Sequence, residues 1–220
     1  GNKYRVSAHD ADMKETEAIY GQTDSGMTII EGHLFLNGKK PIQHRSSYGL
    51  GEVIKAALDN HTEHLVISLG GIGSFDGGAG MLQALGARFY DDEAQIVDMR
   101  KGADLIKYIR RIDLSGVHPQ LAKVNIQLMS DFSSRLYGKK SEIMQTYESL
   151  DLSQNEAAEI DNLIWYFSEL FKNELKIAMG PIERGGAGGG IAAVLNSLYQ
   201  AEILTSHELV NQITHLENLI

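Results

Sequence analysis

Cysteine is absent from this 220-residue chain, proline occurs 3 times and tryptophan once. Without cysteine there are no disulfide staples and no thiolate metal site, and a zinc site is not expected. No apolar run approaches the roughly 20 residues that a membrane-crossing helix needs. The opening stretch GNKYRVSAHDADMKETEAIY also lacks the basic-then-apolar layout of a secretory leader. A cytoplasmic location, away from membranes, is expected. Positive charge is in short supply as well: 20 Lys and Arg face 29 Asp and Glu, for a net charge of −9. Bulk electrostatics then oppose nucleic acid and anionic lipid as partners. A small anion can still bind where helix N-termini or particular Arg and Lys residues reverse the local sign.

With 43% hydrophobic residues the chain can bury a substantial core, and one compact domain over 1–220 is the simplest expectation. Much of its glycine is concentrated at 70–86 and at 185–190, each time just before a helix-like pattern. Three short strands, at 3–8, 15–22 and 27–31, read as a β-meander. Ser47 stands where it would cap a helix whose apolar set is Leu50, Val53, Ile54, Ala57 and Leu58, ending near Asn60. HLVISL is a near-continuous apolar strand of the kind buried on both faces of a parallel sheet, and KVNIQLMSD is another that finishes on Asp131. Residues 88–98 read as a hairpin turning at Asp91 and Asp92.

The C-terminal third reads as helical. A capping box of Ser153 and Glu156 precedes an apolar set that runs from Ala157 to Leu175 with helical period. The second glycine cluster opens another helix, and Thr205 with Glu208 repeats the box before the last one, with Val210, Ile213, Leu216 and Ile220 on its apolar side. Strands interleaved with helices give an α/β expectation: a three-layer sandwich around a mixed sheet.

Strand, glycine loop and helix N-terminus together make an anion site, because free N–H groups and the helix dipole converge there. Gly71, Gly73, Gly77 and Gly78 would let a ligand reach the backbone. The same glycines also suit a tight strand-to-helix turn. The loop is neither a dinucleotide fingerprint nor a P-loop. Asp76, the acid inside it, reads either as a helix cap or as a proton acceptor near a hydroxyl. Ser74 and Asp131 lie where α/β ligand sites form, and equally where turn residues belong. Arg184 would clamp an anion or face water.

Four stretches carry a family likeness: SYGLGEVIKAAL at 47–58, GGIGSFDGGAGMLQALGARFYD at 70–91, RIDLSGVHPQL at 111–121 and GGAGGGIAAVL at 185–195. In order and spacing they resemble the bacterial glycerate kinase family of the two-domain α/β type. The resemblance implies ATP-dependent phosphorylation of D-glycerate to a phosphoglycerate with Mg2+. Asp76 would then orient or deprotonate the hydroxyl, and Ser74 and the loop N–H groups would hold substrate. It also implies that this chain is the inserted second domain, with the partner lobe and its DSFKGS-like and TGEG-like motifs outside it.

Departures accompany the likeness. The family loop reads GGSATNDGG, whereas here Ile72 replaces serine, Ser74 threonine and Phe75 asparagine. DFSSRLYG stands for DNPLLG, and no FGPQKG motif follows. These changes keep open a second reading, a non-catalytic module that binds a small hydroxy acid or nucleotide, and a third, a dimerising scaffold. Restoring asparagine at 75 in a complete two-lobe protein is expected to separate an enzyme, whose turnover would return, from a binding module.

Overall fold

A computed structural model describes residues 1–71 and 73–217, with side chains through 214 in the last helix. Alternating apolar and polar residues build three antiparallel strands, β1 (Asn2–His9), β2 (Glu15–Gln22) and β3 (Met27–Glu31), paired in register from Asn2↔Gln22 to His9↔Glu15 and through Gly21↔Ile29. This is the expected meander, and it does not stand alone. After the short α1 (His33–Leu36) and the long α2 (Tyr48–Asp59), β4 (His64–Ser68) returns parallel to β3. The glycine loop leads into α3 (Ala79–Ala84). β5 (Arg88–Tyr90) turns tightly, with the Asp91 N–H on Gln95 O, and pairs with β6 (Arg111–Asp113) as a separate two-stranded sheet.

β7 (Asn125–Met129) lies parallel to β4. Then come α4 (Glu142–Thr146) and α5 (Gln154–Leu170), the latter extended by a π turn that stops at Lys176 in left-handed conformation. α6 (Ile191–Tyr199), β8 (Glu202–Leu204) and α7 (Ser206–Glu217) complete the fold. The six-stranded mixed sheet has the order β1-β2-β3-β4-β7-β8. β8, the short strand parallel to β7, α1 and α4 are too brief to leave a periodic signal.

Side chains alternate across a strand. One sheet face carries Tyr20, Ile30, Leu65, Ile67, Ile126 and Leu128 into the main core, together with residues of α2, α3, α5 and α6. The opposite face carries Val66 and Gln127. Here α7 covers β7, the Gln127 amide donating to Gln212 at 2.6 Å. Towards β2 and β3 this face keeps Ile19 and Ile29 exposed. The three layers are therefore unequal.

α7 has the capping box expected of it, with Thr205 N–H and hydroxyl on Glu208 and the Glu208 N–H returned to Thr205 Oγ1. Its inward residue is Leu209, and Val210, expected on the apolar side, is 55% exposed. Leu216 and Ile220 fall outside the described side chains. α5 shows the complete box of Ser153 and Glu156. A smaller core cluster joins Ile42 and Phe75 to Ile143, Ala157 and Ile160 of α4 and α5.

Candidate functional site

β4 and β7 end side by side, and the chain leaving each must turn away from the sheet, which is where a crevice forms in an α/β sheet. The Leu69 N–H still bonds Met129 O at 2.9 Å. Beyond that point the strands separate around a cleft of about 330 Å³, lined by residues 68–71, residues 129–132 and Glu142.

Asp76 lies beneath the glycine loop and is fully buried. Its Oδ2 accepts from Ser47 N–H (2.8 Å), the Ser47 hydroxyl (2.9 Å) and Gly80 N–H (3.2 Å), and its Oδ1 accepts from Gly78 N–H (3.0 Å). Burial raises its pKa, with these donors pulling the other way. The carboxylate thus closes the N-terminus of α3 and ties it to the start of α2. Ser47 takes part in the same knot: its hydroxyl oxygen accepts from Met81 N–H at 2.9 Å. Ser47 occupies the N-cap of α2 as expected but makes no side-chain bond to its own helix, because that oxygen serves α3.

The two glycine clusters meet. Gly77 N–H donates to Gly189 O at 3.0 Å. Gly189 has φ +59, and a Cβ there would collide with Ser74 O, so only glycine allows the two loops to approach this closely. Phe75 is buried in the small cluster with Ile143 and Ile160. The ring that replaces the family's amide has become an anchor for the loop.

Gly71 is exposed at the cleft with φ +72, and Gly73 is buried with its carbonyl accepting from Arg45 Nη1 at 3.0 Å. Gly78 supplies the left-handed N-cap of α3. Ser74 is buried, and its Oγ has no hydrogen-bond partner. Asp131 stands at the cleft mouth two residues past the end of β7. Its Oδ1 accepts from the Ser206 N–H (2.8 Å) and hydroxyl (3.0 Å), which lowers its pKa. Arg184 is paired with Glu208 at 3.0 Å. The Thr205 N–H and hydroxyl, then Arg184, hold Glu208 down to about 2. Gly71 and Asp131 therefore share the cleft, Ser74 and Asp76 lie behind its loop, and Arg184 is engaged at the N-terminus of α7.

Glu142 carries no sequence signal of a site residue. It lines the cleft between Ser141 and Ile143, both buried, and burial pushes its carboxyl up to about 7, partly offset by the Gly189 N–H. In KKSEIM it reads as an ordinary acid after a helix-capping serine. Nothing local distinguishes it, and the Gly189 N–H that meets it belongs to the second glycine cluster, far along the chain.

The Glycerate kinase family profile matches residues 1–220. A glycerate kinase of Halalkalibacterium halodurans is 30% identical over 211 residues, which cover 93% of this chain and 55% of that protein. A glycerate 2-kinase of Escherichia coli is 30% identical over 175 residues, covering 80% of this chain and 45% of that protein. Among solved structures, that of a putative glycerate kinase 2 from Salmonella typhimurium LT2 superposes with a TM-score of 0.92 at 27% identity, over 99% of this chain and 60% of that one. The chain spans about half the length of the curated relatives it matches. Strand order, glycine-loop architecture and these likenesses agree: the chain belongs to the glycerate kinase family.

Proposed function

We propose that this chain is the glycerate-side domain of a kinase that transfers a phosphoryl group from ATP, with Mg2+, to a hydroxyl of D-glycerate, and that it works with a partner lobe. The observation that carries this reading is the cleft at the carboxyl ends of β4 and β7, walled by the exposed Gly70 and Gly71 and by Asp131 and Glu142. Phosphoryl transfer needs positioning and charge stabilisation more than covalent help from the protein. The backbone of Gly70 and Gly71 walls the cleft that receives substrate, Gly73 and Ser74 lie buried behind it, and Gly77 and Gly78 hold that loop to α3. Asp76 is a positioning residue in the conformation described here, because four donors already occupy its carboxylate. Arg184 steadies the wall that carries Asp131.

Among the described residues no three His, Cys, Asp or Glu side chains gather to hold a metal. Mg2+ would come with the nucleotide phosphates and meet at most one or two carboxylates here. Asp131 is the exposed acid placed for that contact, and the ion would supply charge neutralisation for the transferring group.

Calorimetric titration with D-glycerate, with and without Mg-ATP, tests the reading. Saturable binding supports it, and absence of binding to either ligand overturns it for this chain. A second reading, a hydroxy-acid binding module without transfer, is favoured by Phe75, whose burial gives the loop an apolar anchor where the family has a polar amide. Phosphorus NMR separates the two, since only a kinase produces a new phosphate ester from ATP and bound glycerate.

A further inference from the structure

Folded proteins pair more than nine tenths of their buried polar atoms, so unpaired ones in one place require an explanation. Among the described residues the buried side-chain oxygens without a hydrogen-bond partner are Ser74 Oγ, Ser134 Oγ and Glu142 Oε2. All three adjoin the second glycine cluster. Ser74 abuts Gly189, Ser134 Oγ would lie 2.6 Å from a Cβ on Gly186, and the Gly189 N–H approaches the Glu142 carboxylate. Of the three residues, Glu142 also lines the cleft.

We infer that Glu142 is the hydroxyl-recognising residue of this cleft, accepting a hydrogen bond from a hydroxyl of a small hydroxy acid and turning the ligand's own carboxylate away. The inference rests on the hydroxy-acid reading above and assigns a specific partner within it. An ionised carboxylate only accepts hydrogen bonds, so it matches a hydroxyl donor and rejects a second carboxylate at close range. The anionic end of the ligand is thereby directed towards the backbone of Gly70 and Gly71, which carry no side chains of their own, on the part of the cleft wall away from both Glu142 and Asp131. Asp76 cannot do the same work in this conformation, being sealed and fully engaged. Ser74 and Ser134 adjoin the same glycine cluster but do not line the cleft, which leaves Glu142 as the group able to meet a ligand there. α4 is held in place for this role: Ile143 is buried beside Phe75, and Asp161 of α5 accepts from Gly138 N–H at 2.8 Å, just before the helix.

The test compares D-glycerate with propionate, which has the same three carbons and carboxylate but no hydroxyl, by calorimetry of the whole 220-residue chain at pH 6 and pH 8. Wild type should prefer D-glycerate by about tenfold or more at pH 8, the scale of one hydrogen bond to a charged group. The preference should narrow at pH 6, where Glu142 is protonated. Glu142→Ala should reduce it to about twofold by weakening glycerate alone, and Glu142→Gln, which keeps an acceptor oxygen, should retain part of it without the pH dependence. A Glu142→Ala chain that melts like wild type and keeps the preference overturns the role of Glu142 and leaves the hydroxy-acid reading standing. Wild type that binds D-glycerate and propionate equally also removes this role. Wild type that binds neither overturns both.

Discussion

Replacing Asp76 by alanine would leave the Ser47 and Gly80 N–H groups, the Ser47 hydroxyl and the Gly78 N–H without their acceptor in a site closed to water. Buried donors stripped of a partner are costly, and Asp76→Ala should lose on the order of 3–5 kcal/mol of stability in urea unfolding. Loss of ligand binding in that variant would then follow from a disordered loop and would not by itself identify a base. Glu142 should behave in the opposite way. Its carboxyl is raised from 4.5 when unfolded to about 7 when folded, so the folded state favours the protonated form. That contribution is fully present below the unfolded value and is lost as pH rises through about 7. Relative to wild type, Glu142→Gln should gain stability between pH 4.5 and 8, by up to about 3 kcal/mol, and denaturation midpoints across that range measure it. Asp76 stands out in the sequence because its glycine context is distinctive. Glu142 does not, since the Gly189 N–H that meets it arrives some 40 or more residues later in the chain.

Phe75 illustrates how an element is held together. The sequence reads it as a lost polar contact, whereas its ring joins the glycine loop to α4 and α5. Restoring the family's asparagine would bury an amide among Ile42, Ile143 and Ile160 and leave a void, costing roughly 3–5 kcal/mol. Phe75→Asn should therefore lower the melting temperature, and thermal unfolding beside wild type checks it. Elements with long periodic signals were legible to within a few residues: α2, α5, β4 and β7. β8 and α4 were not. The first has 3 residues and the second 5, and each owes its conformation to neighbours packed against it. Capping boxes located helix starts well because the chemistry is local. The sequence puts Val210 on the inward face of α7, whereas Leu209 takes that place: the two adjacent apolar residues compete for it and only the sheet decides.

Across the whole molecule the sheet is covered unevenly, with the main core on one face and α7 over part of the other. No helix among the described residues is long and apolar enough to cross a membrane. If residues 1–220 fold as one unit, near- and far-UV circular dichroism should report a single coincident thermal transition, and two separated transitions would divide the chain. The order of strands has another outcome for how copies of this chain coexist in solution. Among the described residues β1 ends the sheet, so 8 residues of backbone have a side with no described strand beside it. An unguarded border of that length is a template for fibrillar growth, and exposed basic side chains on it act as gatekeepers. Lys3 and Arg5 project from this strand, both exposed. Exchanging both for valine should barely alter the melting temperature, yet turn concentrated samples turbid and thioflavin-positive. On that account these two residues would serve colloidal behaviour, whatever the cleft binds.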